Sequence, residues 1–384
     1  MNLCSSSGSR NPKVNLTAAP EATPEKPESE PTAAPGADPT PGNEPTAPEA
    51  APTTPETASQ GTVFDVTKYG AVGDGKTDNN KAFSAAWDAA CKSTGPSTVL
   101  VPKGDFILPA ITFSGPCSNN ISPRVEIRGK IIASRARTSL ELLSITGGSL
   151  SGISSTNSKG SHGIVGNTKD FIIQDIKLVA PAESPNTDGF HIGNSTGITI
   201  TNAEIGTGDD CISIGSGVTN ISITNVQCGP GHGISLGSLG KYPNEQEVSG
   251  LLVKNCTFTN TDNGVRIKTW PGCPENTVSD VRFEDIVVTN VSNPIIINQQ
   301  YCDQKSCTSE PSRVKLTDIH FKNIKGTSFT KTAITLSCSE GVPCENVELV
   351  DIDLKHNLAD GVATALCKNV KGVTSGIQNP SSCL

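Results

Sequence analysis

No stretch of this chain reads as a helix of eighteen or more apolar residues, and it has no long basic run and no RNA- or DNA-binding signature. Neither a membrane nor a nucleic-acid partner is therefore expected. Residues 1–17 lack the apolar centre of a secretory signal peptide, so either the true N-terminus lies outside this sequence or the gene model is altered, and the segment is assigned no particular role. Residues 18–60 contain no aromatic residue and no Val, Ile, Leu or Phe, yet hold 11 of the 27 prolines. So little apolar surface cannot offset the entropy of ordering a chain, and 18–60 is expected to be a disordered Pro/Ala/Thr/Glu-rich linker. One folded domain remains, 62–384.

The net charge of −8 sits almost wholly in that linker, which carries eight acids and one Lys. The folded part is nearly balanced, which leaves room for a local basic cleft. Thirteen cysteines are too many for an ordinary reduced domain without a zinc spacing, and the close pairs Cys302/Cys307 and Cys338/Cys344 are not CxxC ligand pairs. Disulfides are the better reading. Six sequons, at Asn15, Asn120, Asn194, Asn220, Asn255 and Asn290, also point to a secreted, extracellular protein.

From about residue 162 the chain repeats. Asp188–Ile192, Asp210–Ile214 and His232–Leu236 line up at intervals of 22 residues, followed by Gly264–Ile267, Pro294–Ile297 and Ala333–Leu336 at longer spacing. Between them runs a second family of strands with period-2 alternation, among them 197–201, 218–224, 248–256, 278–286 and 314–324. Strands recur without the helical patterns a βαβ fold needs. Such coils close a core only by stacking, so the expected fold is all-β, a right-handed parallel β-helix. One helix is expected at the start, Lys81–Cys91, capped by Thr77 and Asp78. Its stripe of Ala82, Ala85, Ala86, Ala89 and Ala90 would plug the open end.

The 22-residue interval puts Asp188, Asp210 and His232 at the same point of successive coils, ~4.8 Å apart if the coils stack as strands do. Asp209 adds a third carboxylate. Crowded carboxylates resist simultaneous ionisation, which separates their pKa values and lets an acid and a base coexist. Arg266 and Lys268 alternate with Val265 and Ile267, so both would face outward and could grip a substrate carboxylate. Asp188 and Asp210 share the parity of inward Ile residues, so the chain should turn just before each apolar run, at Gly189 and Gly233. Each residue alone has an ordinary reading: turn carboxylates cap strands or bind calcium, a lone His232 holds a loop, Arg266 and Lys268 form a solvated face, and Tyr301 is a core or rim aromatic. Their concentration on adjacent coils points to a site.

Asn186-Thr-Asp-Gly189, Gly208-Asp-Asp210, Gly231-His-Gly233 and Arg266-Ile-Lys268, in this order, resemble the four signature motifs of the polygalacturonase family, glycoside hydrolase family 28. Tyr69–Asp78 is similar to the segment that opens many pectin-active β-helices. The resemblance implies hydrolysis of α-1,4 linkages in homogalacturonan by single displacement with inversion, without metal or organic cofactor, by a monomer. It makes Asp209 the general acid, Asp188 and Asp210 the activators of water, and His232 the support of the acid. Arg266, Lys268 and Tyr301 would bind a galacturonate carboxylate.

Residues 233–242 and 266–271 look most like flower and pollen exopolygalacturonases, so exo action is expected over endo action. A calcium-dependent pectate lyase and an inactive pectin-binding β-helix are the rival readings. The region 133–150 looks short by at least one coil beside plant members of the family. The expected disulfides are Cys338–Cys344, Cys367–Cys383, Cys91–Cys117 and Cys211–Cys228, and the expected pH optimum lies between about 4 and 6.

Overall fold

The computed structural model describes residues 61–384 except 109, 134–137, 273, 304–306 and 359–360. The expectations for 1–17 and 18–60 lie outside the described residues. Every strand pairing is parallel. One sheet runs from Thr62–Asp65 through Lys169–Val179, Thr196–Gly206, Thr219–Cys228, Val248–Thr259 and Asn276–Val291 to Val370–Asn379. The second sheet takes one short strand from each coil, running from Ile111–Ser114 through Phe190–Gly193, Ile212–Ile214, Ile234–Leu239 and Asn263–Thr269 to Thr364–Lys368. Parallel strands joined coil by coil in this order make a right-handed parallel β-helix, since parallel crossovers take that hand almost without exception.

The long strands turn a corner in mid-course, which the simple alternation expected of them does not show. In Thr196–Gly206 the buried positions are Ile198 and Ile200, then Ala203 and Ile205, so the parity slips by one at Asn202. Asn202 has φ of 53°, the left-handed region that Asn tolerates better than most residues. Asn225 and Asn255 do the same one and two coils on, with φ of 56° and 53° at the same bend. Their side chains form a ladder: Asn225 Nδ2 donates to Asn202 Oδ1 at 3.3 Å and Asn255 Nδ2 to Asn225 Oδ1 at 2.6 Å. The bend lets one strand line two walls of the coil.

Inside, like residues stack in register. Ile192, Ile214, Leu236, Ile267, Ile297 and Leu336 are successive partners and all buried. Each such side chain contributes about 1.5–3 kcal/mol by leaving water. The helix at the start spans Asn80–Cys91; Asn79 holds its N-cap position without a side-chain capping bond, and of Thr77 and Asp78 it is Asp78 whose Oδ1 accepts Asn80 N–H at 2.9 Å, from the end of the strand Asp74–Asp78. Its buried stripe is Ala82, Phe83, Ala86, Trp87 and Ala90, while Ala85 is exposed and Ala89 half-buried. Rings do most of the plugging, with Trp87 4.7 Å from Phe113 and Phe83 5.7 Å from Phe106.

Within 133–150, 134–137 lie outside the described residues; Leu140–Leu143 pairs with Ile111–Ser114 and Gly163–Gly166, and Ser149–Ser151 with Arg124–Ile127 and Lys169–Val179. All four expected disulfides are present, with Cys302–Cys307 as a fifth. Among the described residues no helix is long and apolar enough to cross a membrane.

Candidate active site

Asp188, Asp209, Asp210 and His232 lie in the turns that carry the chain from the long sheet into the short one, while Arg266 and Lys268 stand on the strand Asn263–Thr269. Phe190, Ile212 and Ile234 are register partners, so Asp188, Asp210 and His232, each two residues earlier, occupy equivalent turn positions. The strands begin only at Phe190 and Ile212, which frees the two aspartates from inward parity. Gly233 permits its turn by a φ of 87°, as expected. Gly189 is needed for a different reason. Its φ is ordinary, but a Cβ there would stand 2.4 Å from the Cys211 carbonyl oxygen of the next coil.

Backbone bonds lock these turns together. Gly189 N–H donates to Asp210 O at 2.9 Å, His232 N–H to Asp209 O at 2.8 Å, and Cys211 N–H to Gly233 O at 2.8 Å. The Cys211–Cys228 disulfide ties the turn bearing Asp209 and Asp210 to the strand that leads to His232.

Two polar clusters result. In one, His232 Nδ1 lies 3.0 Å from Asp209 Oδ1, and His232 Nε2 lies 3.4 Å from Asp262 Oδ2. In the other, the buried Asp210 accepts Ser235 Oγ at 2.6 Å and Arg266 Nη2 at 2.8 Å on Oδ1, and Lys268 Nζ at 2.9 Å on Oδ2. Asp188 Oδ2 accepts Ser213 Oγ at 2.7 Å, and Ser213 Oγ is 2.8 Å from His191 Nδ1. Oxygen and nitrogen atoms of Asp209, Asp210 and His232 lie within 4.8 Å of one another. That set has the reach to hold a cation, but both Asp210 oxygens already face protein cations, which disfavours a further positive ion there.

The three aspartates are not equivalent. Burial raises the Asp188 carboxyl to about 6, with the charges of Asp209 and Asp210 adding to the rise and the Ser213 hydrogen bond opposing it. Burial by itself would raise Asp209 too, but the hydrogen bond and charge of His232 outweigh it and hold Asp209 below its ordinary value. The same bond to Asp209 raises His232, against its own burial. Burial lowers His191. The site thus holds one carboxyl of raised proton affinity, Asp188, and one hydrogen-bonded pair, Asp209 with His232.

Arg266 and Lys268 do face outward between buried Val265 and Ile267, but neither stands free. Their side chains are only 13% and 9% exposed, with donors directed at Asp210. Tyr301 is half-buried at the rim. Its ring lies 5.3 Å from Lys268 Nζ and meets Trp270 edge-on at 5.9 Å. Ser213, Ser235, His191 and Asp262 escaped the sequence reading. The first three are the outward positions of His191-Ile, Ile-Ser-Ile and Ile-Ser-Leu, and register alone stacks His191, Ser213, Ser235 and Arg266 on one face.

Residues 135–383 match the model of the glycosyl hydrolases family 28, and the chain belongs to that family. It is 42% identical over 377 residues to an exopolygalacturonase of Arabidopsis thaliana, with 85% of this chain and 84% of that one covered. An exopolygalacturonase of Platanus acerifolia is 42% identical across 84% of this chain and 98% of its own. Among solved structures, a hyperthermoactive exopolygalacturonase from Thermotoga maritima superposes with a TM-score of 0.66 at 15% identity, covering 82% of this chain and 90% of that one. An endo-xylogalacturonan hydrolase from Aspergillus tubingensis gives 0.68 at 22% identity, over 82% and 100%. At these identities the two structures speak for the fold.

Proposed function

We propose that this protein is an exo-acting polygalacturonase that hydrolyses the α-1,4-galacturonosyl linkages of homogalacturonan with inversion, outside the cell. The observation that carries the reading is the geometry of the cluster: Asp188 and Asp210 at equivalent turns of adjacent coils, Asp209 3.0 Å from His232, and Asp210 held by Arg266 and Lys268. Asp209, ionised beside a protonated His232 at rest, takes the His232 proton through their hydrogen bond and passes it to the leaving glycosidic oxygen. Asp188 and Asp210 hold one water between them. Its oxygen attacks the anomeric carbon, the glycosidic C–O bond breaks, and a proton passes to Asp188, whose affinity near 6 suits a base in mildly acidic medium. Inverting enzymes usually separate their carboxyls by ~6.5–9.5 Å. Asp209 and Asp210 bring carboxylate oxygens within 4.8 Å of each other, and this shorter approach is accommodated because Asp188 and Asp210 share one water.

Arg266 and Lys268 receive the substrate carboxylate by sharing donors they now give to Asp210, with Tyr301 against the same sugar. Exo action is supported by the plant relatives, which are exopolygalacturonases. The working unit in this reading is a monomer of 62–384, with 18–60 as its spacer. Incubation with polygalacturonate and a chelator, followed by a reducing-end assay and product sizing, tests the proposal. Chelator-resistant release of monomer is expected. Ultraviolet-absorbing unsaturated products would mean a lyase, mixed oligomers an endo enzyme, and no product an inactive pectin binder.

A further inference from the structure

Arg266, Lys268 and Trp270 share one outward parity, and the wall they begin continues past the residues assigned above. Tyr301 stands against Lys268 on one side and Trp270 on the other. Over Trp270, 4.3 Å from its ring, lies the ammonium of Lys241, with the Tyr242 ring 5.8 Å away. Lys241 belongs to the segment that leaves Ile234–Leu239, one coil before the strand of Arg266 and Lys268.

That segment is held in place from beneath. Glu245 accepts Gly240 N–H at 2.7 Å on Oε2, and Lys241 N–H at 3.0 Å and Tyr242 N–H at 2.9 Å on Oε1. Its carboxylate is thereby spent on backbone. Among the described residues Lys241 has no carboxylate partner, whereas Arg266 and Lys268 both face Asp210. The indole face orients the ammonium without neutralising it, and a cation so placed keeps its capacity for a charge-assisted bond. Tyr242 beside it is 62% exposed, an aromatic surface against which a sugar ring can lie.

We propose that Lys241, with Tyr242, forms a second carboxylate-binding subsite, which takes the galacturonate next beyond the one facing Arg266 and Lys268. It selects de-esterified chains of at least three sugars. The proposal rests on the hydrolase reading and deepens it. A chain of two sugars ends before Lys241, so the contact is read by substrate length.

The experiment measures initial rates on digalacturonate, trigalacturonate and polygalacturonate for the wild type, Lys241→Gln, Lys241→Arg and Glu245→Gln. Loss of one half-buried charge-assisted contact should raise KM on the two longer substrates roughly tenfold and change kcat by less than about twofold. Digalacturonate kinetics should stay unchanged, Lys241→Arg should restore most of the affinity, and Glu245→Gln should reproduce part of the loss by freeing the segment. Equal losses on digalacturonate would overturn the subsite and assign Lys241 to the fold or to the Arg266 sugar. Unchanged kinetics on all three substrates would overturn it as well. A wild type that cleaves none of them would overturn the hydrolase reading and the subsite with it, a result distinct from any effect of Lys241.

Discussion

Ser213 donates its hydroxyl to Asp188 at 2.7 Å, and this bond is the largest restraint on a carboxyl that burial has pushed to about 6. A hydrogen bond to the charged form favours ionisation, so its loss must raise Asp188 further. Ser213→Ala is therefore expected to move the acidic limb of kcat/KM to higher pH, by about one unit, with little change in the alkaline limb. A pH profile on polygalacturonate checks this. An unmoved acidic limb would remove Asp188 from the titration that limits activity.

Asp188 also has a stability consequence whose sign follows from linkage. A carboxyl raised in the folded state binds its proton more tightly there than in the unfolded chain, so folding bears no cost below the ordinary value of 3.8 and a growing cost as pH rises to about 6. Asp188→Asn should remove that cost. Denaturant melts should show the variant more stable than wild type at pH 7 by on the order of 2 kcal/mol, with the gain gone at pH 3.5, while hydrolysis falls about 100-fold or more.

His232 works in the opposite sense. Its folded value is raised, so the stability it supplies is complete below 6.5 and is lost as pH climbs through the folded value. Asp209, held low by the same bond, depends on that charge. The alkaline limb of activity is thus expected above the ordinary histidine range and the acidic limb near 6, which places the optimum at about pH 6–7, above the 4–6 suggested by crowding alone. His232→Ala should pull the alkaline limb down and leave the acidic limb in place. Asp209→Asn should abolish nearly all turnover at every pH and still bind substrate.

Breaking the buried pairs around Asp210 should be costly twice over. Lys268→Ala leaves a carboxylate 2% exposed with one partner fewer, and removal of one member of a buried pair typically costs 3–5 kcal/mol. A loss of about 3 kcal/mol is expected in urea melts, and Asp210→Asn in the same chain should recover most of it. Recovery of stability without activity would separate the folding role of Lys268 from its role towards substrate. Additive losses in the double variant would mean that the two side chains do not depend on each other.

Constant coil length made much of this legible beforehand. Asp188, Asp210 and His232 align because two coils of 22 residues leave no room for a register change, and the Arg266-Ile-Lys268 alternation is a simple strand signal. The corner at Asn202 was readable only as an Asn after two alternations, a weak cue until the slip in buried parity is seen. Ser213 and Ser235 were hidden for the same reason: a serine between two isoleucines reads as an ordinary outward position, and only the neighbouring coil shows it beneath a carboxylate. Pairing of His232 with Asp209, instead of with the Asp210 at its own register point, depends on side-chain direction in a turn, which spacing does not report.

The central claim is inversion by water held between Asp188 and Asp210 while Asp209 protonates the leaving oxygen. Proton NMR of the first product, recorded before mutarotation, tests it most directly. The account predicts that an α-linked oligogalacturonide releases galacturonate as the β-anomer, in the presence of chelator. Release of the α-anomer, or of an unsaturated product, would contradict it.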